Sequence, residues 1–276
     1  MLLIFFLFFF NQTFCYGRSN EDKNVFLKCM KNSLNITGKY EEALIKTGSN
    51  NLYSMKNLLF VDDIQPILFA ATIFEIKRLN SATLWYIGGH RECHVGQQTI
   101  INSPNAFNKL IIFEPTPVFF KELEINLAHF NKVSVILNNY GLSNKNYSIW
   151  SELRGAATSS KNSFTADVVK KYQNYQELRI RDFYSALKEN TFNKTAQNML
   201  YMNCEGCEIE VMEALLDNKL AHYFSIIHIA THFLRNENNK YIMAYCKISE
   251  KLVKTHKKVY GFMFAQDRWI IRSKNI

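Results

Sequence analysis

From Leu84 onward, short apolar runs recur, each stopped by glycine, proline or a polar turn and separated from the next by a longer stretch. This alternation constrains the fold more than any other feature. Runs of about four to eight apolar residues between turn signals suit buried strands and are too short for core helices. The runs are Leu84 to Ile87, Leu110 to Phe113, Val133 to Leu137, Met199 to Cys204 and Phe224 to Ala230. Between them, Val118 to Phe130, Glu208 to Leu216 and Ile242 to Thr255 carry apolar residues at helical spacing. Val259 to Phe264 and Trp269 to Arg272 have the pattern of a terminal hairpin. Strands alternating with helices predict an α/β fold, a mostly parallel sheet with helices on both faces and a C-terminal antiparallel hairpin.

The chain has 276 residues, enough to bury a full core without a disulfide scaffold. Only ten glycines and four prolines occur, which excludes collagen-like and low-complexity designs. Their placement is therefore informative. Three glycines fall within Gly88–Gly96 and two prolines at Pro115 and Pro117, both directly after apolar runs.

The N-terminus divides from the rest. Met1 to Phe10 is an apolar run of ten residues, where spanning a bilayer takes about 20. The expectation is a signal peptide over 1–17, although no Lys or Arg precedes the run. Residues 18–80 form a helical lead-in, with a helix expected from Asp62 to Arg78, and 81–276 the main domain. A secreted or secretory-lumen protein with no stable membrane span follows. Sequons at Asn35, Asn146 and Asn193 agree with export. Removing the leader takes Cys15 and leaves five cysteines, so at most two bridges and one thiol.

The net charge of +9 is concentrated at the end, where ten basic residues stand against three acidic ones from Arg235 onward. No aromatic platforms are interleaved with these lysines, so no nucleic-acid partner is expected and a solvated basic face is the plainer reading.

In doubly wound sheets ligands bind beyond the carboxyl ends of the strands, where strand order reverses. The first such end reads Gly88-Gly89-His90, a turn that lets backbone N–H groups approach a ligand. Glu114 ends the next run, where nucleotide-binding sheets place a carboxylate for ribose hydroxyls. The fourth run ends in Asn203-Cys204-Glu205-Gly206-Cys207-Glu208, whose acids also complement a helix N-terminal dipole.

These stretches resemble the FkbM-like methyltransferases, S-adenosylmethionine-dependent enzymes with the Rossmann-like class I methyltransferase fold. The resemblance rests on Ile87-Gly88-Gly89, on Ile112 to Pro117 with Phe119 to Leu123, on Gly141-Leu142-Ser143, and on Glu205-Gly206-Cys207-Glu208. With Cys204, Cys207 and the Ala230-Thr231-His232 tail, it is similar to a secreted animal subgroup. The resemblance implies that Gly88, Gly89, His90, Glu114 and Asn203 bind S-adenosylmethionine. Glu205 and His232 are the candidates for a base acting on a substrate hydroxyl, the substrate being a small molecule or glycan. Tyr86 and Asn203 stand where the family carries acids. The alternative is a secreted, catalytically inactive binding domain that keeps the fold and uses its basic C-terminal face.

The CxxC at Cys204 and Cys207 also admits zinc, with His90, Cys93 and His94 as further ligands, or thiol exchange. Irregular spacing of the second group disfavours zinc, and the position differs from that of a thioredoxin motif. Cys204 is expected to face the sheet interior, Cys207 to bridge to Cys246, and Cys29 to Cys93. His228, sharing a strand face with Ile226 and Ala230, is expected to be a core histidine.

Overall fold

The computed structural model describes residues 76–152, 163–164, 175–230, 238–262 and 266–272. In chain order it contains β1 (Ala82–Ile87), α1 (His94–Ile101), β2 (Phe107–Phe113), α2 (Pro117–Leu127), β3 (Ser134–Asn138), β4 (Gly141–Ser143), β5 (Tyr147–Glu152) and β6 (Ser163–Phe164). There follow β7 (Tyr175–Asp182), α3 (Phe183–Glu189), β8 (Asn198–Met202), α4 (Glu208–Asp217), β9 (Ile226–Ala230), α5 (Asn238–Leu252), β10 (His256–Phe262) and β11 (Gln266–Ile271).

Seven strands form the main sheet in the order β3-β2-β1-β8-β9-β11-β10. All neighbouring pairs are parallel except those of β11, which runs antiparallel to both β9 and β10. This is the expected α/β fold, a mostly parallel sheet with a C-terminal antiparallel hairpin. The chain winds outward from β1 to β3, then returns to the other side of β1 with β8. The order therefore reverses between β1 and β8, and the two ends meet there.

The apolar runs behave as burial on two faces requires. Every residue of β8 and β9 is buried, as expected for central parallel strands covered on both sides. Trp85, Ile87, Ile111, Phe113, Leu200 and Met202 face one layer, with Phe183 of α3, Val211 and Leu215 of α4, and Ile248 and Leu252 of α5. Leu84, Tyr86, Leu110, Ile112 and Tyr201 face the other, with Ile100 of α1 and Leu123 of α2. Alternation along β1 thus feeds two cores from one strand.

One register row is unusual. Tyr86, Tyr201, His228 and Arg268 are neighbours across β1, β8, β9 and β11. The rings stack at 4.6 Å (Tyr86–Tyr201) and 4.5 Å (Tyr201–His228). Arg268 Nη2 donates to His228 Nδ1 at 3.1 Å. Burial, and then the Arg268 charge, hold His228 well below the usual histidine range, so it stays a neutral core group.

The structure adds a second sheet where no element was expected between Leu137 and Met199. It has four strands in the order β4-β7-β5-β6. Only β4 and β7 pair in parallel. In β7 the buried residues are Leu178 and Ile180, between exposed Glu177 and Arg179. A single apolar face with few large residues leaves no continuous run, which is why the pattern is faint in the sequence. Asp182 ends β7 and caps α3, its Oδ1 accepting from the Ser185 N–H at 2.8 Å. Gly141-Leu142-Ser143, quoted above as a motif, is β4 itself.

The basic C-terminal face is smaller than the charge count suggests. Lys258 and Arg268 are not part of it, since both side chains are buried. Lys258 lies 2.8 Å from Asp267 Oδ1 and donates to the Tyr245 hydroxyl at 2.8 Å. Lys254 and Lys257 remain exposed. The expected leader and the Asp62–Arg78 helix, save for its last residues, lie outside the described residues. Among the described residues no helix is long and apolar enough to cross a membrane.

Candidate active site

The turn after β1 is forced by its neighbours. Gly88 has φ +92, and a Cβ there would lie 1.9 Å from the Asn203 carbonyl oxygen. A Cβ at Gly89 would lie 2.4 Å from Ile112 Cγ2. The Asn203 N–H donates to the Ile87 oxygen at 2.9 Å, and the Gly88 and Gly89 N–H groups both reach the Phe113 oxygen. Glycine is needed because the ends of β1, β2 and β8 press against one another here.

Backbone strain gathers at the same place. Among the described residues nine have positive φ, and five of them, Gly88, His90, Cys93, Glu205 and Gly206, are in the loops after β1 and β8. For the three non-glycine residues this conformation is costly and persists only where the surroundings impose it.

Glu114, at the end of β2, is 5% exposed. Its Oε2 accepts from the His90 N–H at 2.7 Å and its Oε1 from the Thr116 N–H at 2.8 Å. Burial raises its carboxyl above the ordinary range, while these donors oppose the shift. Each oxygen keeps acceptor capacity beyond its one backbone donor. Glu114 thus ties the β1 loop to the β2 end and still presents a carboxylate edge.

His90 stacks at a tilt on Phe119, ring centroids 4.5 Å apart. Its Nε2 is buried with no hydrogen-bond partner. Burial and the neighbouring Arg91 charge lower its pKa, so the imidazole is neutral near pH 7. Glu205 is close enough to exert an opposing pull on the same titration, which places the β8 loop beside the β1 loop.

Sequence reasoning gave Glu208 no site role, quoting it among the acids near a helix dipole and in the Glu205-Gly206-Cys207-Glu208 motif. Glu208 is 0% exposed. It accepts from the Gly206 N–H at 2.9 Å, the Cys204 N–H at 3.3 Å and the Tyr241 hydroxyl at 3.2 Å. It therefore holds the Asn203–Gly206 turn from beneath and links it to α5. Its position as the last acid of the Glu205-Gly206-Cys207-Glu208 motif was the available signal.

The thiol expectations need correction. Cys204 and Cys207 are bonded to each other, with Cα atoms 5.5 Å apart. The turn at Glu205 and Gly206 folds the intervening residues back, bringing the pair within ordinary disulfide reach. Cys207 therefore does not bridge to Cys246, which is disulfide-bonded elsewhere. Cys93 is free and buried, so the Cys29–Cys93 pairing is also wrong. Cys204 is half-buried against the α4-side core, which is only part of the interior role expected for it. With both CxxC sulfurs consumed in a bond, they are not zinc ligands. Among the described residues no group of three metal-ligating side chains occurs.

Gly88, Gly89, His90, Glu114, Asn203 and Glu205 thus converge at the reversal of strand order. Tyr86, one position before the strand end, is buried in the aromatic row. His232 lies outside the described residues.

Two solved structures are similar at a distant level. The precorrin-6y C5,15-methyltransferase from Geobacter metallireducens GS-15 shares 13% identity, with 74% of this chain and 85% of that one covered and a TM-score of 0.35. The Methanococcus jannaschii fibrillarin pre-rRNA processing protein shares 14% identity over 71% of this chain and 69% of that one, also at 0.35. Likenesses of this depth carry no argument about activity. A search of curated proteins found no match. Residues 94–267, well over half of the chain, match the family described as the methyltransferase FkbM domain, and the protein belongs to that family.

Proposed function

We propose that the protein is an S-adenosylmethionine-dependent methyltransferase that methylates a hydroxyl of a small molecule or glycan. The observation that carries this reading is the convergence of the Gly88-Gly89 turn, buried Glu114 and Asn203 at the reversal of strand order. The residues fit such a cofactor. Glu114 offers acceptor capacity for a ribose diol, and the buried, unpartnered His90 Nε2 offers a polar contact. When bound, S-adenosylmethionine supplies an electrophilic sulfonium methyl.

The chain supplies binding, orientation and a place for the proton. Glu114 accepts hydroxyl donors while its own orientation is fixed by the His90 and Thr116 N–H groups. The crowded β1 and β8 ends leave a backbone surface that keeps its shape without rearrangement, which favours in-line positioning. Glu205 and His232 are the assigned acceptors for a substrate hydroxyl proton.

Titration calorimetry with S-adenosylmethionine tests the assignment. Glu114→Ala is expected to weaken binding by about 10- to 100-fold, the range for hydrogen bonds to a charged group. Unchanged affinity would remove Glu114 from the site. Incubation with methyl-labelled cofactor and panels of hydroxyl and amine acceptors tests the substrate class, and transfer confined to amines would overturn it. A folded, oxidised protein that does not bind the cofactor would favour the non-catalytic binding domain instead.

We further propose a secretory-lumen or extracellular location. Asn146 and Asn193, both in sequons, are exposed on the described surface. Expression in cultured animal cells should yield material whose mobility shifts on peptide N-glycosidase treatment. Unshifted, cell-retained protein would contradict the location.

A further inference from the structure

We infer that the Cys204–Cys207 disulfide is a positioning element for the cofactor loop, a conclusion that rests on reading the β1/β8 junction as the cofactor site. The bond closes a ring around Glu205 and Gly206. Both enclosed residues are left-handed, with φ 53 and φ 116. Gly206 adopts this freely, but for Glu205 the conformation is strained and must be imposed.

Two restraints of different kinds impose it. From beneath, the Glu208 carboxylate accepts from the Cys204 and Gly206 N–H groups. From the side, the ring fixes the distance between the residues flanking the turn. Asn203, immediately before the ring, is the residue whose carbonyl closes on Gly88. Loosening the ring therefore loosens both Glu205 and the Asn203–Gly88 contact, the parts of the β8 loop that face the assigned cofactor.

The surroundings keep the ring closed under oxidising conditions. Glu205, Glu208 and Glu210 lie within the ring or in the first turn of α4. Carboxylates beside a cysteine disfavour its thiolate, which opposes the stabilisation that the α4 N-terminus offers at Cys207. Cys93, the free thiol, is buried and its pKa is raised by that burial, so it does not compete in exchange. Cys204 and Cys207 themselves are half-buried and within reach of a small dithiol. Dithiothreitol would deliver two electrons and two protons, leaving two cysteine thiols and its own cyclic disulfide.

The test compares wild type with the double variant Cys204→Ser/Cys207→Ser, which leaves the Cys246 bridge in place. Hydrogen exchange of the 203–208 amides and S-adenosylmethionine titration are read together. The double variant should exchange these amides at least about tenfold faster. Its cofactor affinity should fall roughly tenfold, as expected when the competent loop is populated a tenth of the time, with little change in Tm. Dithiothreitol should reproduce both changes in wild type, reoxidation should reverse them, and the double variant's loop should not respond to the reagent. If the double variant fails to fold, reversible reduction of folded wild type decides alone. Unchanged loop protection overturns the proposal, as does lost protection with unchanged affinity. A wild type that binds no cofactor defeats the cofactor reading, while the exchange comparison still decides whether the ring restrains the loop.

Discussion

Gly88→Ala is expected to cost about 3 kcal/mol or more of stability and to abolish cofactor binding. Two effects add. The new methyl would fall 1.9 Å from the Asn203 oxygen and 2.7 Å from its carbonyl carbon, both backbone atoms. Overpacking of this kind costs about 1–3 kcal/mol where neighbours can move, and backbone held by the β1–β8 ladder moves least. The φ of +92 adds conformational strain for any L side chain. Gly89→Ala should be milder, because its nearest obstacle, 2.4 Å away, is the Ile112 methyl, a side-chain atom. Denaturant midpoints for the two variants, with cofactor titration of each, give the comparison. Equal stabilities, or wild-type affinity in Gly88→Ala, would show that the β1 and β8 ends are not in this contact.

Lys258→Met is expected to destabilise the fold by about 3–5 kcal/mol, the cost of leaving a buried charge without its partner. Asp267 is 1% exposed and Lys258 Nζ stands 2.8 Å from it. Burial pushes the Lys258 ammonium down to about 7 and the Asp267 carboxyl well above its ordinary range. Each charge is thus unfavourable alone; Asp267 holds the Lys258 ammonium, which also donates to the Tyr245 hydroxyl and lies over the Tyr245 and Trp269 rings, whose centroids are 5.4 and 5.3 Å from Nζ. The double variant Lys258→Met/Asp267→Leu should recover most of the loss, since apolar replacement of a buried pair is often neutral or better. Lys254→Met, on the exposed face, should change stability by no more than about 0.5 kcal/mol. Urea unfolding of the three variants distinguishes them. A loss below about 1 kcal/mol in Lys258→Met would mean the pair does not anchor β10 to β11.

Much of the main sheet was legible because its strands are covered on both faces and so are written as unbroken apolar runs. Leu84 to Ile87 and Leu110 to Phe113 fall inside β1 and β2, and Phe224 to Ala230 contains β9. The hairpin was also legible, though it begins three residues before Val259. The second sheet was not. Its strands are polar on one side, and in β7 only Leu178 and Ile180 are buried among charged neighbours. Lys258 and Arg268 counted as surface charge in the sequence because burial is a property of packing, and long basic side chains are almost never fully buried unless paired.

At the candidate site, composition alone marked the turns: with so few glycines and prolines, Gly88-Gly89 and Glu114-Pro115 stood out. What the residues do to one another was hidden. Glu208 looked like one acid of three near a helix start, yet it is fully buried and binds the loop. Cys204 was expected in the sheet interior and Cys207 bridged to Cys246, yet the left-handed pair between them brings their Cα atoms to 5.5 Å.

By itself, then, the amino-acid sequence determined the α/β class and the positions of the two loops, because these depend on periodicity and local turn chemistry, and its motifs carried the resemblance to the family. Only the tertiary structure decided which groups are partners. The Asn203–Gly88 contact, the buried Lys258–Asp267 pair and the Cys204–Cys207 ring depend on strand order and backbone handedness, and neither is written in any local stretch of residues.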